Sequence, residues 1–223
     1  TQNLTLGNGY TNDTTIAVDQ DTVVNNAEVA MTVTGTDAEI AASTITGDST
    51  TNDSIEVTAA SQGGTTITAG TDFTNVNTFI IKDGGDDAAG GTNPAGDDIT
   101  INMGTYTTAL TIDASALDAA SADNNSDGKI DNSDSSAEIL TMNGTASTKA
   151  VTVTGGAAGD TLLGSSDANN GDTINAGAGD DTITMAGNLN NLDTIDGGVG
   201  TDTVSVLTSA AVNDVDFINV SNM

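Results

Sequence analysis

Between Gly155 and Ser205 five aspartates share one setting, Asp-Thr-aliphatic: Asp160, Asp172, Asp181, Asp193 and Asp202. They follow one another at steps of 12, 9, 12 and 9 residues, so the pattern returns every 21 residues. A carboxylate can move protons, shape a turn or ligate a cation. The period favours the last two, because a sustained repeat of this length points to stacked coils of a solenoid. Glycine marks one side of the proposed coil, in GGAAGD (Gly155 to Asp160), AGAGDD (Ala176 to Asp181) and GGVGTD (Gly197 to Asp202). The other side is SSDANNGD (Ser165 to Asp172) and the Asn-rich GNLNNLD (Gly187 to Asp193). Glycines permit positive-φ turns in which carbonyl oxygens converge. Together with a carboxylate they suit a hard cation such as Ca²⁺, which takes about six to eight oxygens. The candidate ligands on the glycine-rich side are Gly155, Asp160, Gly177, Gly179, Asp180, Asp181, Gly197, Gly198, Gly200 and Asp202. Asp172 and Asp193 are the candidates opposite them, where three extra residues per coil disturb the spacing. The plain alternative is a Gly/Asn-turned β-solenoid without metal.

Two further stretches have the same chemistry. In DNNSDGKIDNSD, side-chain oxygens fall at loop positions 1, 3, 5, 9 and 12, as Asp123, Asn125, Asp127, Asp131 and Asp134. Gly128 stands where a sharp turn needs it, Lys129 would give its carbonyl, and Ile130 would anchor the loop to a core. The segment resembles a dockerin-type or EF-hand calcium loop, with SSAEIL (Ser135 to Leu140) able to form a turn of flanking helix. Asp83 to Thr100 is a Gly/Asp-rich loop with Asp86, Asp87, Asp97 and Asp98 as candidate ligands. A solvated acidic loop explains it equally well.

GGVGTDTVS (Gly197 to Ser205) matches the nonapeptide GGxGxDxUx, with U a large aliphatic residue. AGAGDDTIT misses it at the first glycine, and GGAAGDTLL carries alanine at the fourth position. Residues 155–205 thus resemble the RTX calcium-binding β-roll of bacterial proteins exported by type I secretion. With the Thr/Ala/Gly/Asp-rich strands and TIDASAL (Thr111 to Leu117), the chain is similar to RTX surface-layer proteins. The resemblance implies several bound Ca²⁺ ions, a secreted cell-surface location and self-association into a lattice or filament. Cell-surface polysaccharide is a further candidate partner. The alternatives are a segment of an RTX adhesin or biofilm protein, and the non-catalytic calcium module of a secreted enzyme.

Composition narrows the field. The chain has 223 residues, 32 acidic against 3 basic, and a formal charge of −29. Lys82, Lys129 and Lys149 cannot neutralise nucleic-acid phosphates or an anionic membrane surface. Such self-repulsion opposes compaction, so counter-cations are expected to assist folding. A salt-adapted acidic surface explains the sign of the charge but not the 21-residue phase. Without histidine, cysteine or arginine there is no thiolate or imidazole metal site and no Ser-His-Asp triad. Neighbouring carboxylates are so common here that their proximity signals no acid/base pair, and the chain reads as a non-enzyme. No stretch of 18 apolar residues exists, so no membrane insertion is expected. The chain opens at Thr1 without a signal-peptide pattern.

The elements that must position these groups are short strands. LTL (Leu4 to Leu6), TIAV (Thr15 to Val18), AMTVTG (Ala30 to Gly35), STITG (Ser43 to Gly47), SIEVTA (Ser54 to Ala59), TTITAG (Thr65 to Gly70) and TFIIKD (Thr78 to Asp83) alternate Thr with aliphatics. ITINMG and ALTIDASAL resume the pattern from Ile99 and Ala109. Their spacing predicts an all-β fold with no amphipathic helix: a calcium-stapled parallel β-roll at about 150–207, preceded by further β-solenoid or a β-sandwich. Three regions are expected: a Thr-rich strand region at 1–82, a β region with the two acidic loops at 83–149, and the β-roll with a following strand at 150–223. AMTVTG is echoed by AVTVTG ending at Gly155, and DFTNVNTF (Asp72 to Phe79) by DFINVSNM (Asp216 to Met223). The last copy stops mid-phrase, the pattern of a diverged repeat in a piece of a longer protein.

Overall fold

The computed structural model describes residues 2–7, 13–60, 64–84, 98–117, 138–185, 189–207 and 214–223. The chain winds as a parallel β-solenoid. In chain order the strands are β1 (Asn3–Leu6), β2 (Thr14–Ala17), β3 (Thr22–Asn25), β4 (Met31–Thr36), β5 (Thr44–Thr46), β6 (Ser54–Thr58), β7 (Thr65–Thr68), β8 (Phe73–Thr74), β9 (Thr78–Lys82) and β10 (Ile99–Asn102). There follow β11 (Leu110–Asp113), β12 (Leu140–Asn143), β13 (Val151–Thr154), β14 (Thr161–Leu163), β15 (Thr173–Asn175), β16 (Thr182–Met185), β17 (Thr194–Asp196), β18 (Thr203–Val206) and β19 (Val220–Ser221).

Three sheets result, with every strand pair parallel. A long sheet runs β2-β4-β6-β9-β11-β13-β15-β17-β19 along the whole molecule. Facing it are an N-terminal short sheet, β1-β3-β5-β8, and a C-terminal short sheet, β7-β10-β12-β14-β16-β18. The N-terminal third is therefore solenoid rather than sandwich, and the long sheet crosses the expected boundaries near residues 83 and 150.

The period-2 pattern puts one aliphatic of each triplet inside and its Thr neighbours outside. In the long sheet Ile16, Val33, Ile55, Phe79, Ile112, Val153, Ile174, Ile195 and Val220 stand in one register column. Ile67, Ile101, Met142, Leu162, Ile183 and Val204 form the column in the C-terminal short sheet. A core one side chain deep per coil needs few aromatics. Those it has gather where one short sheet hands over to the other. Phe73 lies 5.5 Å from Phe79 and 5.3 Å from Tyr106, centroid to centroid. The buried Tyr106 hydroxyl donates to the Val76 carbonyl and accepts from the Val76 N–H, both at 2.8 Å.

One short helix, α1 (Asp37–Ala41), was not expected from the sequence. It spans too few residues to show a period, but Thr36 and Glu39 form a capping box and Ile40 enters the core. The first echo is structural: β4 and β13 lie in the long sheet, and Thr32 and Thr152 share one column. The second is not. Phe73 opens a strand, whereas Phe217 ends a 3-10 turn, Asp214–Phe217.

A candidate cation site on a column of buried carboxylates

An aspartate stands immediately before many of these strands: Asp21 before β3, Asp53 before β6, Asp98 before β10, Asp160 before β14, Asp172 before β15, Asp181 before β16, Asp193 before β17 and Asp202 before β18. The position has a common task. At the entry to a parallel pair, one backbone N–H lacks a sheet partner, and a buried orphan is costly. The carboxylate one coil later accepts it. Asp160 Oδ1 accepts from Leu140 N–H at 2.8 Å, Asp181 Oδ1 from Asp160 N–H at 2.6 Å, and Asp202 Oδ1 from Asp181 N–H at 2.8 Å. On the other side, Asp172 Oδ1 accepts from Val151 N–H at 3.0 Å and Asp193 Oδ1 from Asp172 N–H at 2.7 Å. Asp53 does the same for Met31 N–H and Asp21 for Gln2 N–H, both at 2.7 Å. Asp98 alone works in the opposite direction, accepting from Ile139 N–H in the following coil at 3.0 Å.

The second oxygen separates the sites. In most coils it is held by the residue's own turn. Asp160 Oδ2 accepts from Gly156 N–H at 2.8 Å, Asp172 Oδ2 from Ser165 N–H at 2.7 Å, and Asp193 Oδ2 from Asn190 N–H at 2.8 Å. The Oδ2 atoms of Asp181 and Asp202 are buried and have no hydrogen-bond partner. These two residues sit in the glycine turns that best match the nonapeptide. They are 1% and 8% exposed, so water does not compensate them.

Electrostatics sharpens the contrast. Burial pushes Asp181 up to about 7 against the pull of the Asp160 N–H, and the negative charge of the neighbouring Asp202 raises it further. Burial likewise lifts Asp160 to about 7, partly offset by its two N–H donors. Asp98, Asp172 and Asp193 are also raised, by burial above all. Asp167, in the Asn-rich turn, is lowered, first by the Asn170 side-chain amide. Two adjacent buried carboxylates, each with an empty oxygen, require a proton or a cation between them.

At several positions these turns leave room for nothing larger than glycine. Gly177, Gly179, Gly198 and Gly200 all have positive φ. A Cβ on Gly198 would collide with the Gly177 carbonyl, and one on Gly197 would lie 2.6 Å from Asp202 Oδ2. A Cβ on Gly155 would collide with Asp160 Oδ2 in the same way. Neighbouring turns are tied together, Val199 N–H to Gly177 O at 3.0 Å and Thr201 N–H to Asp180 Oδ1 at 2.7 Å. Among the described residues no three acidic side chains converge on one point. A cation here would take the two free carboxylate oxygens and complete its shell from turn carbonyls and water, a donor set that fits Ca²⁺.

Asp160, Asp172, Asp180, Asp181, Asp193, Asp202 and the six glycines all lie in turns of the solenoid, in two columns, and among these residues only the Asp181–Asp202 pair is left with free buried oxygens. Asp98 precedes β10, apart from that pair. The loop residues Asp123, Asn125, Asp127, Lys129, Asp131 and Asp134, with Asp86, Asp87 and Asp97, lie outside the described residues. At the end of the expected helical turn, Leu140 opens β12 instead. Sequence reasoning missed Asp21 and Asp53, although Asp21-Thr22-Val23 is the same triplet and Asp53-Ser54-Ile55 differs from it by one hydroxyl residue. A shallow groove of about 410 Å³ at the entry edge of the long sheet is lined by Asn52, Asn77, Thr78, Ala109, Leu110, Thr111, Ala150 and Thr152. It contains no titratable group.

Comparison with known proteins adds no relative: no protein-family model, no curated protein and no solved structure matches this chain. Among the described residues no helix is long and apolar enough to cross a membrane.

Proposed function

We propose that the chain is a structural, calcium-dependent β-solenoid segment of an extracellular bacterial protein layer, of the RTX surface-layer kind. The observation that carries this reading is the pair of buried, unpartnered oxygens on Asp181 and Asp202 within stacked glycine turns. Ca²⁺ bound there neutralises two carboxylates that otherwise repel, and fastens two coils together. Metal binding then becomes folding free energy. The formal charge of −29 supports the same conclusion, since a chain this acidic folds best where divalent cations are plentiful. The absence of histidine, cysteine and arginine supports a structural rather than a catalytic role.

The test is direct. Calorimetric titration of the metal-free chain with Ca²⁺, and circular dichroism in chelator and after calcium is restored, should show binding and recovery of β signal. Negative-stain microscopy should show ordered assemblies only with calcium. A spectrum and melting temperature indifferent to Ca²⁺ would remove the metal and the layer together. Binding without assembly would favour the adhesin segment or the calcium module of a secreted enzyme.

A further inference from the structure

The outward face of the C-terminal short sheet differs from that of the long sheet. Thr66, Thr100, Thr141, Thr161, Thr182 and Thr203 stand in one register column across its six strands. Thr68, Asn102, Asn143, Leu163, Thr184 and Ser205 form the column beside it. In a chain with 32 acidic residues these two columns have no charged side chain, and only Leu163 lacks a polar group. The hydroxyls of the two columns hydrogen-bond to no protein group among the described residues. The long sheet also has a Thr column, but its neighbouring column contains Glu56, Asp113 and Asp196. There Thr32 and Ser54 hydroxyls bond to each other at 3.0 Å.

We propose that this neutral grid binds ice. Parallel strands set its rungs about 4.8 Å apart along the solenoid axis, and alternate residues set its columns about 6.6 Å apart. A ligand for it must be uncharged, repeat in two dimensions at both spacings, and both give and accept hydrogen bonds. The oxygen lattice of hexagonal ice repeats at distances close to both. The face is too small to hold a second protein. Six strands and two columns cover on the order of 300 Å², against about 800 Å² per partner in a standard interface. A surface that orders water needs no such area. The waters on the threonine hydroxyls become part of the lattice, so the polar groups are never stripped of their hydrogen bonds. This reading does not depend on the metal, provided that the sheet is folded.

The experiment uses the whole chain in calcium-containing buffer, with circular dichroism confirming the fold of every variant. The reading expects the wild-type chain to shape growing ice crystals, lower the freezing point below the melting point and partition into a slowly frozen fraction. Thr161→Tyr with Thr182→Tyr keeps strand propensity but breaks the plane, and should abolish all three effects. Thr152→Tyr with Thr173→Tyr, on the long sheet, should leave them intact. Thr161→Val with Thr182→Val keeps the shape without the hydroxyls, and should weaken them. Absence of ice shaping in wild type, equal loss in both tyrosine pairs, or retention on crystalline chitin or cellulose in place of ice would overturn the proposal.

Discussion

Asp160 and Asp181 occupy equivalent positions one coil apart, yet a single hydrogen bond gives them different work. Asp160 is closed by the Gly156 N–H, and Asp181 is not. Asp181→Asn should therefore stabilise the metal-free protein, because the amide removes one buried charge and can donate to the free oxygen of Asp202. It should also cut the calcium response. Asp160→Asn should do the opposite in chelator. It sets an amide N–H against the Gly156 donor and costs about 1–3 kcal/mol. Thermal melts of both variants, with and without Ca²⁺, decide between them. The pH dependence follows from the same groups. The folded-state pKa of Asp160 and of Asp181 is raised to about 7 from the ordinary carboxylate value of 3.8, so the native state holds more protons than the unfolded chain between those limits. In chelator, stability should fall as pH rises from about 4 to about 7, and saturating Ca²⁺ should remove the part of that slope due to Asp181 and leave the part due to Asp160. A melting temperature that climbs over that range in chelator would contradict the assignment.

At the scale of elements, the strands were largely legible. Alternating Thr-aliphatic runs located β1, β2, β4, β5, β6, β7 and β9, because period 2 with one buried face is a strong local signal. The two-residue β8 and five-residue α1 were too short to show any period. β3 was hidden because its triplet lies outside the 21-residue phase. The carboxylate columns were half legible. Spacing marked Asp181 and Asp202 as it did Asp160 and Asp172, but which oxygen stays free depends on the path of each turn. Sequence alone does not specify that path. Glycine gives an element-scale test. Gly70 has φ +83° with open space around its Cβ position, whereas Gly198 has φ +91° with the Gly177 backbone in the way. Gly70→Ala should cost about 1–2 kcal/mol, the strain of a left-handed alanine. Gly198→Ala should cost more and lower Ca²⁺ affinity, as urea melts and calorimetry would show.

At the scale of the whole molecule, each coil touches only its neighbours, so stability is a sum of local terms and need not be lost all at once. The unpartnered oxygens of Asp181 and Asp202 lie near the C-terminal end, while Asp53 is held without metal by Met31, Asp48 and Asn25. Chelation should therefore open the coils around β16 to β18 first and leave β2 to β6 closed. Hydrogen exchange by mass spectrometry should show protection lost in peptides of residues 173–206 and kept in those of residues 31–58. Uniform loss along the chain would mean that the solenoid melts as one unit.

Parallel coils also dictate how the chain bears tension. Strands lie across the solenoid axis, so a pull applied along that axis loads the hydrogen bonds between two coils in sequence rather than together. The molecule should yield like a zipper, one turn at a time, at modest force. Each released coil in the stretch from β14 to β18 frees 21 residues, the spacing of Asp160 to Asp181 and of Asp181 to Asp202. At roughly 3.3–3.6 Å per residue that is a lengthening of about 7 nm per event. An ion shared by Asp181 and Asp202 would act as a stop in that zipper, so the force plateau recorded in an optical trap should rise with calcium at those turns and nowhere before β6.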